Sequence, residues 1–228
     1  MKVAILFSGG KDSNYALHLA RQYGYTISCL ITIQSENSSS YMFQSLGQSL
    51  LHLQSEALGI PLLQIRSKGE KETELTDLFT ALTSAKEQYG IEGVVSGAIE
   101  SVYQASRIQR LSHEIGLWCF CPLWQRPRET YLQELISAGF SIIILGIFAY
   151  PLTKEDVGKI ITSAYANHLA SLAGRYGLHQ GLEGGEAETF VLDGPDFQQH
   201  IALTSYQIQE ESENACYMQL EEAILQPK

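Results

Sequence analysis

Hydrophobic and polar positions follow two alternating periods along the first half of the chain. Short apolar runs at Lys2–Phe7, Thr26–Ile33, Pro61–Ile65, Gly93–Ser96 and Leu117–Phe120 predict strands. Between them, apolar residues three and four apart predict helices over Lys11–Tyr23, Tyr41–Leu58, Glu70–Tyr89 and Ser101–Ile115. In the third helix the apolar face is Leu75, Leu78, Leu82 and Ala85. Gly59 is placed to close the second. Repeated strand–helix units with short connections predict an α/β fold: a doubly wound parallel sheet covered by helices on both faces. Ligands of such sheets bind beyond the carboxyl ends of the strands.

The rhythm changes in the second half. Pro122 and Pro127 bracket a linker. A helix is predicted over Glu129–Ala138, a strand over Ser141–Phe148, and one or two helices over Thr153–Tyr176 with Gly158 as a weak point. Strands follow around Phe190–Leu192 and Ile201–Gln209. The expected organisation is a nucleotide-binding domain at 1–121 and a smaller α/β substrate domain at 122–228. The acidic end, Glu210–Lys228, is expected to be a solvated, weakly anchored helix.

Candidate chemistry concentrates first at Ser8-Gly9-Gly10-Lys11-Asp12-Ser13, between the first strand and the first helix. A glycine turn lets backbone amides approach an anion, and a helix N-terminus adds partial positive charge. Lys11 contributes a formal charge at an expected exposed helix start, and Ser8 and Ser13 contribute hydroxyl donors. The Walker A spacing fails, because Ile5 stands where its first glycine belongs and Asp12 follows Lys11. The dinucleotide fingerprint fails too, because Lys11 stands two residues after Gly9. What remains, SGGxDS after a strand, is the signature of the PP-loop ATP pyrophosphatases. They cut ATP between the α and β phosphates and adenylate a substrate.

Further segments narrow the resemblance. Ser35-Glu36-Asn37 with Tyr41-Met42 follows the second strand, and Ser96-Gly97-Ala98-Ile99 with Tyr103-Gln104 and Arg107 follows the fourth. Leu123-Trp124-Gln125-Arg126 lies mid-chain. Glu183-Gly184-Gly185-Glu186-Ala187-Glu188-Thr189-Phe190 and Leu192-Asp193-Gly194-Pro195 lie near the end. From Lys2 to Phe197 the chain resembles the diphthine–ammonia ligase (diphthamide synthetase) family. That resemblance implies ATP and Mg²⁺ as cofactors, ammonium as nitrogen donor, and diphthine on elongation factor 2 as the protein substrate.

Roles follow for individual residues. Ser8, Gly9, Gly10, Lys11, Asp12, Ser13, Ser35, Ser96, Gly97 and Ala98 are expected to hold the nucleotide. Asp12 either binds Mg²⁺ or caps its helix. Lys11, Asp12, Glu183 and Glu186 are the expected catalytic set. Three carboxylates around two glycines, Glu183, Glu186 and Glu188, suit Mg²⁺, a cationic substrate group or ammonium. Glu36, Tyr41, Tyr103, Arg107, Trp124 and Glu188 are the candidate substrate contacts, the aromatic ones suited to a quaternary ammonium. His179 is the histidine to watch, for its nearness to Glu183. Two other readings stay open: a PP-loop enzyme adenylating a small molecule or tRNA, and a non-catalytic nucleotide sensor.

Bulk properties trim these options. The 228 residues carry a formal charge of −10 with only 15 Lys plus Arg, and no basic run of five appears. Non-specific nucleic-acid binding is therefore not expected. The four cysteines, Cys29, Cys119, Cys121 and Cys216, form no CxxC pair and are expected to be buried free thiols. The longest apolar stretch, Phe140–Pro151, is too short to span a membrane. With no signal-peptide core at the N-terminus either, a soluble cytoplasmic protein without membrane partners is expected.

Overall fold

A computed structural model of the chain describes residues 1–35, 46–67 and 73–228. They divide into two compact units. The first comprises Met1–Ser8 and Asp12–Gln125, and the second Gly9–Lys11 and Arg126–Lys228.

The first unit alternates strand and helix: β1 (Lys2–Leu6), α1 (Lys11–Gln22), β2 (Thr26–Ser35), α2 (Leu51–Leu58), β3 (Leu62–Ser67), α3 (Thr73–Tyr89), β4 (Gly93–Val95), α4 (Val102–Ile115) and β5 (Trp118–Phe120). Among the described residues these strands form one sheet in the order β3-β2-β1-β4-β5, every pair parallel. The chain steps outward from β1 to β3, then returns to β4 and β5. Right-handed crossovers in opposite directions put α1 and α2 on one face and α3 and α4 on the other. The core agrees. Ala4, Cys29, Ile31 and Ile33 pack with Leu78, Leu82 and Ala85 of α3 and Leu111 of α4. Side chains alternate along a strand, so Val3, Ile5 and Leu30 face the other way, and they are buried too. Both faces are thus covered, as the apolar runs required. The strand order reverses between β1 and β4, and that switch point is where a doubly wound sheet opens a ligand crevice. Gly59 ends α2 in the left-handed conformation, as expected from its place after the last apolar residue. The helix expected over Tyr41–Leu58 is shorter: left-handed Gly47 and a 3₁₀ turn at Gln48–Leu50 precede it, so α2 begins only at Leu51, and Tyr41 lies outside the described residues.

The second unit contains α5 (Arg128–Ser137), β6 (Ser141–Ile147), α6 (Ser163–Tyr176), β7 (Ala187–Asp193), β8 (Gln199–Ser212) and β9 (Ala215–Pro227). Its strands pair antiparallel in the order β7-β6-β9-β8. Two expectations need correction. Thr153–Tyr176 is not continuous helix: a 3₁₀ turn at Lys154–Asp156 is boxed by Thr153 and Asp156, and α6 starts only where Thr162 accepts from the Tyr165 amide. Glu210–Lys228 is not a helix: Glu210–Ser212 end β8, the chain turns at Glu213-Asn214, and Ala215–Pro227 return as the far arm of the hairpin. Cys216 and Met218 alternate into the core, while Glu221 and Glu222 fall on exposed positions that hide the alternation.

Candidate active site

In the first unit, two predicted nucleotide-binding segments meet at the switch point. Ser8 leaves β1, and both its amide and its hydroxyl lie 3.3 Å from the hydroxyl of Ser13 on α1. After β4, Ser96 donates its amide to the Phe120 carbonyl at 2.9 Å, and its hydroxyl accepts the Ala98 amide at 3.2 Å. The intervening Gly97 is glycine for want of room. A β-carbon there would lie 2.9 Å from the carbonyl carbon of Asp12 and 3.0 Å from the Ser13 nitrogen. The Ser96–Ala98 turn therefore rests directly on the first turn of α1.

The second unit holds the glycine turn of the same loop. Gly9 adopts φ 80°, and its carbonyl accepts the Val191 amide at 3.0 Å. The Lys11 amide donates to the Thr189 hydroxyl at 3.3 Å, and its ammonium donates to the Glu183 carboxylate. That ammonium also stands 5.9 Å above the Tyr131 ring. Lys11 is only 2% exposed, so the exposed helix start expected for it is corrected: an ion pair and an aromatic ring enclose its cation.

The acidic glycine segment separates its carboxylates by role. Glu186 accepts the His179 amide at 2.9 Å and the Gly184 amide at 2.7 Å, clamping its own loop. A β-carbon at Gly184 would fall 2.6 Å from the Glu186 carboxylate, and Gly185 adopts φ 82°. His179 Nδ1 accepts from the Gly181 amide at 3.0 Å and the Glu183 amide at 3.4 Å, so a neutral ring carries its proton on Nε2. Glu183 projects from this clamped turn to Lys11, and Glu188 lies on β7 opposite Gly146.

The remaining candidates are scattered or paired among themselves. Arg107 lies 3.5 Å over the Tyr103 ring and donates to the Tyr103 carbonyl at 3.2 Å, so these two meet on α4. Trp124 is exposed, beside the turn after β5, where its amide donates to the Cys121 carbonyl at 3.1 Å. Ser35 ends β2, and Glu36, Asn37 and Tyr41 lie outside the described residues. Cys119 and Cys121 are half-buried, a correction to the fully buried thiols expected. Tyr131 and Thr189 were missed as site residues. Thr189 sits inside a motif read for its carboxylates, and nothing local marks a helix tyrosine as a cation's neighbour.

Comparison with known proteins matches the chain in two segments. Residues 1–119 match the model of the diphthamide synthase N-terminal domain, and residues 127–225 that of the C-terminal domain. A diphthine–ammonia ligase of Mus musculus is 35% identical over 224 residues, covering 90% of this chain and 84% of the relative. That of Homo sapiens is 33% identical over 228 residues, covering 91% and 85%. One from Schizosaccharomyces pombe is 31% identical over 241 residues, and there the chain spans only 40% of the relative's length. With both domain models matched and this identity over nearly the full length of the mammalian relatives, the chain belongs to the diphthamide synthase family.

Proposed function

We propose that the protein is an ATP-dependent amide ligase. It adenylates the carboxylate of diphthine on elongation factor 2, in the cytoplasm, and amidates it with ammonium, releasing AMP and pyrophosphate. The observation that carries this reading is the contact of Gly97 with Asp12 and Ser13, which joins the two predicted nucleotide segments at one switch point. The names of the mammalian relatives support diphthine and ammonia as reactants, and elongation factor 2 enters from the family resemblance alone.

A carboxylate does not condense with an amine in neutral water, and transfer of AMP onto its oxygen supplies the missing leaving group. The chain's task is to align the α phosphorus and neutralise the departing pyrophosphate. Ser8, Gly9, Gly10, Lys11 and Ser13 offer hydroxyl, amide and ammonium donors for that charge. Ser35, Ser96, Gly97 and Ala98 line the strand ends for the nucleoside. Asp12, half-buried in the first turn of α1, suits Mg²⁺. Among the described residues no group of three or more His, Cys, Asp and Glu gathers to hold a metal, so phosphate and water oxygens would complete the ion's shell.

Carboxylates of the second unit serve the acceptor's positive charge in this reading. Glu183 exchanges Lys11 for a cation when phosphate claims the ammonium, and Glu188 adds negative charge nearby. Tyr103, Arg107, Trp124, Glu36 and Tyr41 remain proposed acceptor contacts. Incubation with ATP, Mg²⁺, ¹⁵N-ammonium and diphthine-bearing elongation factor tests the assignment. One ¹⁵N per factor at the diphthine residue is expected, and an unlabelled factor would contradict it.

A further inference from the structure

Two thiols lie beside β4 and the start of the Ser96–Ala98 turn. The β4–β5 register pairs Val94 with Cys119 and Val95 with Phe120, and the Ser96 amide bonds the Phe120 carbonyl at 2.9 Å. The next residue, Cys121, is therefore level with Ser96. Alternation puts Cys119 and Cys121 on one side of the strand and Phe120 on the other. Extended backbone separates such α-carbons by about 6.6 Å, just inside the roughly 4.4–6.8 Å span that a disulfide bridges. Cys29 and Cys216 are buried, whereas Cys119 and Cys121 are half-buried and within reach of a small oxidant.

We propose that Cys119 and Cys121 form an oxidisable dithiol set against the nucleotide-binding turn, closed to an intramolecular disulfide by a hydroperoxide and reopened by a small thiol, and that closure weakens ATP binding through Ser96.

The two sulfurs are unlike. Hydrogen bonds from Cys119 and then Ser96 outweigh burial and hold the Cys121 thiol below its ordinary range. The bond to Cys121, followed by burial, pushes the Cys119 thiol up. Cys121, level with Ser96 and bonded to its hydroxyl, is assigned as the attacking thiol and Cys119 as the resolving one. In the first step the Cys121 thiolate attacks a peroxide oxygen. The O–O bond breaks, an alkoxide (hydroxide, for hydrogen peroxide) leaves and takes a solvent proton, and Cys121 becomes a sulfenic acid. In the second, the Cys119 sulfur attacks the Cys121 sulfur, the S–O bond breaks, and hydroxide leaves with the Cys119 proton as water. The two thiols have lost two electrons and two protons, and the hydroperoxide has been reduced.

Closure near the limit of the disulfide span draws Cys121 away from Ser96. The Ser96 hydroxyl also holds the Ala98 amide, and Gly97 has no slack against Asp12. Displacement is therefore transmitted to the turn. This coupling rests on the ATP reading above, whereas the dithiol itself does not.

The test treats the reduced full chain with hydrogen peroxide, then measures intact mass, peptide linkage and the affinity of a non-hydrolysable ATP analogue. A mass loss of about 2 Da, two hydrogens, mapped to a Cys119–Cys121 peptide and reversed by dithiothreitol is expected. Analogue affinity in the oxidised form should fall about tenfold, roughly one charge-assisted hydrogen bond's worth. In C119S, dimedone should trap a sulfenic acid at Cys121, and in C121S none should appear at Cys119. Peroxide-treated protein that keeps both thiols, or a trapped sulfenic acid at Cys119 instead, overturns the dithiol. A mapped disulfide with unchanged affinity overturns the coupling. Reduced protein that binds no analogue removes the ATP reading and the coupling with it, and the mass alone then decides the dithiol.

Discussion

No side chain fits between Gly97 and Asp12: a β-carbon at residue 97 would lie 2.9 Å from the Asp12 carbonyl carbon and 3.0 Å from its oxygen. Both neighbours are backbone, so a substituted residue must lift the β4–α4 turn off the first turn of α1. Gly97→Ala should cost about 1–3 kcal/mol of overpacking, felt mainly as weakened ATP binding. Titration with a non-hydrolysable analogue, alongside a circular-dichroism spectrum like wild type, checks this. Unchanged affinity would mean that the turn does not serve the nucleotide.

Lys11 is already paired when phosphate arrives. Glu183→Gln removes the competing charge, so ATP affinity should hold or rise by up to about tenfold while amide formation falls. Lys11→Ala should lose about 1.5–3 kcal/mol of nucleotide binding. Separate measurements of analogue affinity and amidated product distinguish the two roles. A collapse of ATP affinity in Glu183→Gln would show that the carboxylate serves the nucleotide instead.

Glu186 acts as a clamp, and its variants should differ by what they can still accept. Glu186→Ala strands two backbone amides and should cost about 1.5–3 kcal/mol of stability, read as a lowered Tm. Glu186→Gln keeps an acceptor oxygen and should recover part of that loss. Equal melting of all three proteins would contradict the clamp.

Most of the first unit was legible because its elements declare themselves locally, whereas the start of α2 was not, since the apolar spacing runs on past the turn at Gly47. Buried parallel strands are short apolar runs, and the face of α3 from Leu75 to Ala85 repeats at helical spacing. The hairpin arm β9 was not legible, because its pairing with β8 is long-range and its outward glutamates read as a solvated helix. Site chemistry followed the same division. The loop from Ser8 to Ser13 is contiguous and could be read directly. The pairing of Lys11 with Glu183 joins residues 172 positions apart, so both were named without their contact being foreseen. Glu186 is named for its charge, and its clamp on the His179 and Gly184 amides is not foreseen, because hydrogen-bond donors to a carboxylate and cations bound by it leave the same mark in sequence.

Asp156 ties the loop between β6 and α6. Burial alone would raise its carboxyl. The Thr153 amide, the Lys159 ammonium and the Tyr165 hydroxyl together outweigh burial and hold it below its ordinary value of 3.8. A group depressed in the folded state stabilises above its unfolded pKa, and that stability is lost as pH falls through the folded pKa. The Tm difference between wild type and Asp156→Asn should therefore be largest near neutrality and close as the pH drops below about 4. A difference that stays constant into acid would contradict the charged network.

In the proposed reaction this loop directs AMP onto a carboxylate, and the nucleotide product reports that step. The protein is incubated with ATP, Mg²⁺, ammonium and diphthine-bearing elongation factor, and the nucleotides are resolved by chromatography. One AMP and one pyrophosphate should form for each amide. ADP with inorganic phosphate, and no AMP, would exclude cleavage between the α and β phosphates.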